Sequence, residues 1–182
     1  MRKLINSTYV SLDGVIQNPQ DWPSLGSFTD EGDKLQTDLL VASGAVVMGR
    51  HTYEGFAPVW SARSGDAASD RMNAMPKYVA STTLKDPSWN NTTVIAEDAI
   101  NRIAELKHDS GGDLVQYGFG SLAYGLLEAG LVDELRWWVH PFFVGAATTD
   151  DLLFRPAAPA TFGLADVTRL SSGIVILRYT AS

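Results

Sequence analysis

Val47-Met48-Gly49-Arg50-His51-Thr52-Tyr53-Glu54 is the stretch from which the fold reads outward. Ala45 to Met48 is a short apolar run suited to a buried strand, Gly49 stops it, and a helical pattern begins with no intervening loop. A strand that turns through glycine straight into a helix presents unpaired backbone N–H groups and the positive end of the helix dipole, which together suit a phosphate. Val115-Gln116-Tyr117-Gly118-Phe119-Gly120-Ser121-Leu122 repeats the arrangement. Two such turns, with a third strand end at Ser81, point to a dinucleotide.

Working outward, Leu4 to Leu12 reads as a first strand stopped by Asp13-Gly14, and Gln17 to Ser27 as a long loop. Ser27-Phe-Thr-Asp30 resembles a capping box ahead of a helix striped by Leu35, Leu39 and Leu40. Ala57 to Asp70, rich in Gly, Ser, Ala and Pro, predicts a surface excursion. Strands are expected at Lys77 to Ser81, Thr92 to Ala96, Leu114 to Tyr117 and Glu134 to Val144, and near Ala165 to Leu170 and Gly173 to Tyr179. Helices are expected at Asp98 to Lys107, closed by Gly111-Gly112, and at Ser121 to Ala129, ended by Gly130. Strands alternating with helices predict an α/β fold in three layers, with a mostly parallel central sheet, helices on both faces and an antiparallel C-terminal hairpin. Ligands of such sheets bind outside the carboxyl ends of the strands.

Residues 1–182 fit one domain with an ordinary core. No segment approaches the roughly 20 apolar residues of a membrane span, and the start of the chain is too polar for a signal peptide. With no cysteine, disulfides, thiolate metal sites and a cysteine nucleophile are excluded, and the expected location is the cytoplasm. The net charge of −7 argues against nucleic acid and anionic membrane as partners. Residues 50–85 run against that balance, with Arg50, Arg63, Arg71, Lys77 and Lys85 facing only Glu54, Asp66 and Asp70. That locally basic stretch suits a small anionic ligand or is a chance cluster of solvated charge. His51, His108 and His140 form no metal-ligand spacing, and Gly120-Ser121 lacks the flanks of a nucleophile elbow.

These pieces resemble the dihydrofolate reductase-like superfamily. The nearest likeness is to the family of the RibD C-terminal domain, the reductase half of the bifunctional deaminase-reductase of riboflavin biosynthesis. The likeness rests on Val10-Ser-Leu-Asp-Gly-Val15, Val47 to Glu54, Pro76-Lys-Tyr-Val-Ala-Ser-Thr-Thr-Leu84, Tyr117 to Leu122 and Leu126-Leu-Glu-Ala-Gly-Leu-Val-Asp-Glu-Leu135, in family order and spacing. It implies a reductase moving hydride from NADPH, with NADH as the alternative, to a small heterocycle. The nearest named activity is 5-amino-6-(5-phosphoribosylamino)uracil reductase, although no deaminase domain or zinc signature accompanies it here.

By that resemblance Gly49, Arg50, His51 and Thr52 hold the pyrophosphate and the adenosine-side phosphate. Ser81 and Thr82 lie beside the adenosine ribose, and Gly118, Phe119, Gly120, Ser121 and Leu122 wrap the pyrophosphate from the other side. Asp13 and Gly14 stand near the nicotinamide and the substrate. Three departures bear on cofactor use. Close relatives usually carry arginine at Thr82, and losing one charge-assisted bond of roughly 1.5 to 3 kcal/mol erases about 10- to 100-fold of preference for the 2′-phosphate. Phe119 replaces a small residue, and Ala146-Ala-Thr-Thr-Asp-Asp151 replaces the usual glycine and basic residues.

Hydride transfer needs few reactive side chains, chiefly positioning and exclusion of water. Asp13 is the candidate to orient or protonate the acceptor, its alternative being an Asx-turn residue bonded to its own backbone. Asp33 either reaches the cleft or is a solvated residue of a helix's first turn. Trp22 either stacks on a planar ligand or covers the core. Trp137 and Trp138 point to opposite faces of one strand, which with the resemblance predicts a homodimer. Two functions stay open: the NADPH-dependent reductase, and a non-redox ligand-binding dimer of the same fold, which Thr82 and Phe119 favour.

Overall fold

The computed structural model describes residues 1–23, 29–145, 148–154 and 159–182. Eight strands form one sheet: β1 (Leu4–Ser11), β2 (Ser43–Gly49), β3 (Lys77–Ala80), β4 (Thr92–Ile95), β5 (Asp113–Tyr117), β6 (Glu134–His140), β7 (Phe162–Arg169) and β8 (Val175–Ala181). Their spatial order is β4-β3-β2-β5-β1-β6-β8-β7. The first six strands are mutually parallel, and β8 pairs antiparallel with both β6 and β7. The α/β class, the parallel block and the antiparallel C-terminal hairpin are those the sequence predicts.

Among the described residues five α-helices cover the sheet: α1 (Asp30–Ala42), α2 (Arg50–Trp60), α3 (Ala67–Ala74), α4 (Ala99–His108) and α5 (Ser121–Glu128). The core splits accordingly. Leu39 and Leu40 of α1, Tyr53 and Ala57 of α2 and Met72 of α3 pack on Ile5, Val46, Met48 and Val115 on one face. Ile103 and Leu106 of α4 and Ala123 and Leu126 of α5 pack on Leu4, Val10, Val47 and Leu114 on the other. Strands buried on both faces read as continuous apolar runs, as β2 does. No helix among the described residues is long and apolar enough to cross a membrane.

Several boundaries differ from the sequence reading. The N-cap of α1 is Thr29, whose hydroxyl accepts from Gly32 N, while Ser27 and residues 24–26 of the predicted loop lie outside the described residues. The expected excursion at Ala57 to Asp70 holds two helical pieces. Helix α2 runs on to Trp60 because Pro58 falls in its last turn, where only one bond is lost. Helix α3 is capped by Asp66, whose carboxylate accepts from Ser69 N at 2.9 Å. Helix α4 ends at His108, before Gly111-Gly112, and Gly112 instead lets two chain segments touch: a Cβ there would lie 2.9 Å from Gly44 N. Strand β6 stops at His140, since Pro141 has no N–H to continue the ladder.

The segment Leu126 to Leu135, the most diagnostic piece of the resemblance, is a structural joint. Asp133 Oδ2 accepts from Leu4 N at 2.7 Å and from the buried Lys107 ammonium at 2.5 Å, and Lys107 also donates to Leu131 O. Helix α4, strand β1 and the entry to β6 are thereby tied together.

Candidate active site

All six parallel strands end on one side of the sheet, and at its centre β2 and β5 are neighbours. The helix leaving β2 crosses to one face and the helix leaving β5 to the other. Two adjacent strands whose following helices diverge open a crevice at their carboxyl ends. Met48 is opposite Tyr117 and Gly49 opposite Ala80, so the two glycine turns and Ser81 sit side by side. The three strand ends singled out in the sequence are therefore neighbours.

Buried polar groups hold this arrangement. Asn6, completely buried in β1, donates to Gly118 O and to Gln116 Oε1, both at 3.0 Å, and accepts from Thr8 Oγ1 at 2.8 Å. Buried amides of this kind are costly unless satisfied, so the network fixes one position for the second turn. Gly118 has φ +81, and a Cβ on it would lie 2.7 Å from Thr52 Oγ1, so Thr52 of the first turn packs against the second. Gly49 and Gly120, the N-caps of α2 and α5, contrast with it. Their φ values of −83 and −87 suit any residue, and a Cβ on either would meet nothing within 4 Å. Neither the backbone nor the packing requires glycine there. What remains is open space beside the first backbone N–H groups of two helices.

The other predicted cofactor residues divide. Arg50 pairs with Glu54 at 2.8 Å on the surface of α2, and His51 is exposed, 3.9 Å from the same carboxylate. Ser81 Oγ accepts from Thr83 N and Leu84 N, shaping the turn after β3, and Thr82 is exposed. Ser121, the first residue of α5, is exposed, and Leu122 packs on the core. Phe119 does not obstruct the seat: its ring is buried, edge-on to Tyr124 and Trp137.

Beyond the glycine turns, β1 continues to Ser11, opposite His140 of β6, and turns at Asp13-Gly14. The Asp13 carboxylate accepts from the Ser11 hydroxyl, from Gly145 N at 2.9 Å and from Val144 N at 3.2 Å. The Ser11 hydroxyl and these two N–H groups hold it below the usual carboxylate range. Its own backbone N–H adds to these bonds, as the Asx-turn alternative expects, and the carboxylate is also an anchor for the 144–145 segment. Thr148 and Asp151 cap the following 3-10 turn, Thr149–Asp151, while Ala146 and Ala147 lie outside the described residues.

Trp22 is not available to stack on a ligand. It is 6% exposed, its indole N–H donates to Gln17 O at 3.0 Å, and its ring stands edge-on to His140 and Phe142. Asp33 is exposed in the first turn of α1, where a carboxylate favours the helix dipole. Sequence reasoning missed the Asn6–Gln116–Thr8 network and the buried His140, which Tyr9, Trp22 and Phe142 surround. The available signal was polar residues at inward positions of apolar strands.

The chain matches the model of the RibD C-terminal domain over residues 2–176. It is 25% identical over 190 residues to the uncharacterized protein YyaP of Bacillus subtilis (strain 168), covering 98% of this chain and 94% of that protein. A crystal structure of a protein ascribed to riboflavin biosynthesis in Shewanella sp. PV-4 superposes with a TM-score of 0.74 at 19% identity, over 99% of each chain. A pyrimidine reductase-like protein from Corynebacterium diphtheriae superposes with a TM-score of 0.65 at 11% identity, over all of this chain and 92% of that one. The architecture is dihydrofolate reductase-like.

Proposed function

Because the chain belongs to the RibD C-terminal domain family, we propose that it is a cytoplasmic, dinucleotide-dependent reductase that delivers hydride from NADPH to a small heterocyclic acceptor. The observation that carries this reading is the pair of N-cap glycines, Gly49 and Gly120, on neighbouring helix-bearing strand ends, with neither backbone nor packing to require them. Open N–H groups at two converging helix ends suit a pyrophosphate. Arg50 and Thr82 would meet the adenosine side and the Asp13–Gly14 turn the nicotinamide side. When bound, the dinucleotide supplies the hydride. The chain's own residues bind it, orient it and exclude water. The Asn6 network holds Gly118 in place, and Asp13 fixes the wall formed by Val144 and Gly145.

A second reading, a non-redox ligand-binding module, is favoured by one observation: Asp13 is held ionised and fully engaged, so it offers no proton to an acceptor. Titration of the purified protein with NADPH and NADH, followed by nicotinamide fluorescence, separates the two. Saturable binding of either, lost in Gly120→Val with the fold intact, supports the reductase. No binding at millimolar concentration removes it.

We also propose a homodimer. On the face carrying α5, Leu164 and Val167 of the edge strand β7 are more than half exposed, and they continue the partly buried surface of Trp137, Leu177 and Tyr179. Three strands about 4.8 Å apart and seven residues long at about 3.3 Å per residue give a contiguous apolar area of a few hundred Å², the size that marks an interaction surface.

A further inference from the structure

We infer that Tyr117, with Ser7 and Gln36, seats the carboxamide of the nicotinamide ring and so fixes the angle at which the ring is presented. This rests on the reductase reading and names positioning residues for it. With the pyrophosphate at Gly49 and Gly120 and the nicotinamide side at Asp13–Gly14, the ring falls over the carboxyl ends of β5 and β1, adjacent strands about 4.8 Å apart. Tyr117 is the last residue of β5, directly before Gly118 of the second turn, and Ser7 of β1 is its register partner. Both lie on the sheet face that α1 and α2 cover. Tyr117 packs on Phe56 of α2 with ring centroids 5.4 Å apart, and Ser7 alternates with Ile5 and Tyr9, which pack on that side. Gln36 of α1 reaches the same face, its Nε2 donating to Tyr9 Oη at 2.8 Å.

This group of side chains holds polar atoms without a partner among the described residues. The Tyr117 hydroxyl makes no hydrogen bond, and burial pushes its pKa up, so it stays a neutral donor. Ser7 Oγ and Gln36 Oε1 are buried and unbonded. Arg136, on the other side of Ser7, is already engaged, its Nε bonded to Glu134 at 2.5 Å. A buried polar atom without a partner carries its full desolvation cost, so two of them beside an unbonded phenol mark a place whose complement comes from outside the chain. That complement is a carbonyl for the Tyr117 O–H and an NH2 for Ser7 Oγ and Gln36 Oε1. A primary carboxamide is such a group, it is uncharged, and in the dinucleotide only the nicotinamide carries one.

The test titrates the full chain with NADPH and with two relatives of it. One is 2′-phospho-ADP-ribose, which lacks the nicotinamide ring. The other is the 3-acetylpyridine analogue of NADPH, which keeps the carbonyl and has methyl in place of NH2. Tyr117→Phe is expected to weaken NADPH and the analogue about fivefold, the loss of one neutral hydrogen bond, while leaving 2′-phospho-ADP-ribose unchanged. Ser7→Ala is expected to weaken NADPH severalfold and neither relative. Because Ser7 Oγ bonds nothing in the free protein, unliganded Ser7→Ala should melt no lower than wild type, whereas losing a structural hydroxyl would lower it. Equal losses for all three compounds in Tyr117→Phe, unchanged NADPH affinity in either variant, or a lowered melting temperature in Ser7→Ala overturns the inference. Failure of the wild type to bind NADPH overturns the reductase reading instead.

Discussion

Lowering the pH from 7.5 to 5 is expected to weaken the fold through one residue, His140. Its ring is completely buried among Tyr9, Trp22 and Phe142, and burial pushes its pKa down to about 4 from the ordinary 6.5. The folded value lies below the unfolded one, so between pH 6.5 and 4 the unfolded chain binds the proton and the folded chain does not. Stability is full above 6.5 and falls as the pH drops through that window. Linkage over the whole window is on the order of 3 kcal/mol, of which about 2 kcal/mol is lost by pH 5, ahead of most carboxylate titration. With a urea m-value of about 2 kcal/mol per M, the midpoint moves down by about 1 M. Urea melts of the wild type and of His140→Phe at both pH values measure it, and the variant is expected to lose most of the shift. An NMR titration in which the folded His140 ring protonates near 6.5, or an undiminished shift in His140→Phe, would refute the reasoning.

Other substitutions test other parts of the structure. Gly118→Ala forces a side chain into the left-handed region and against Thr52, and is expected to cost about 1–3 kcal/mol in a denaturant melt. Gly49→Val and Gly120→Val place side chains in open space, so melting should shift little while NADPH affinity falls at least tenfold by fluorescence titration. Lys77 is buried, donates to Asn73 O, Met75 O and Asn90 O, and lies 4.6 Å from the Trp89 ring. Lys77→Met recovers the desolvation that lowers this lysine to about 8 but takes the ammonium from Met75 O and Asn90 O, while Asn73 O keeps Asn91 Nδ2, for a net loss of about 2 kcal/mol and a drop in melting temperature of several degrees. Leu164→Asp with Val167→Asp is expected to give a monomer by light scattering, and an unchanged dimer would place the interface elsewhere.

The sheet was legible where pattern and punctuation coincide. The runs ending at Met48 and Tyr117 are mostly apolar, and each ends in a glycine with a helix beyond it, so strand, turn and helix all read from one short stretch. Helix α3 was not legible, because Ala67, Ala68 and Ser69 give almost no apolar stripe and its stability comes from the Asp66 cap and two methionines, Met72 and Met75, buried against another element. The ends of α2 and β6 were misjudged for related reasons: a proline near a helix end is tolerated, and one after a strand is final. At the candidate site, spacing identified which turns the sheet brings together but not where their side chains point. Phe119 and Trp22 both turn into the core, and Asp13 is engaged by N–H groups 131 and 132 residues away, a long-range contact that no local pattern carries.

The two ends of the cleft are built by different means. The glycine turns are set by strand register and by the buried Asn6, Gln116 and Thr8, all inside the parallel block, so their geometry follows from the fold itself. The Asp13–Gly14 end is set outside the sheet, by one carboxylate gripping Val144 and Gly145 and by the bridge from Val15 to Leu152. Loops tolerate substitution that packed strands do not. The two ends can therefore vary independently: substitutions at Gly120 should act on the dinucleotide while leaving the grip of Asp13 on Val144 and Gly145 in place.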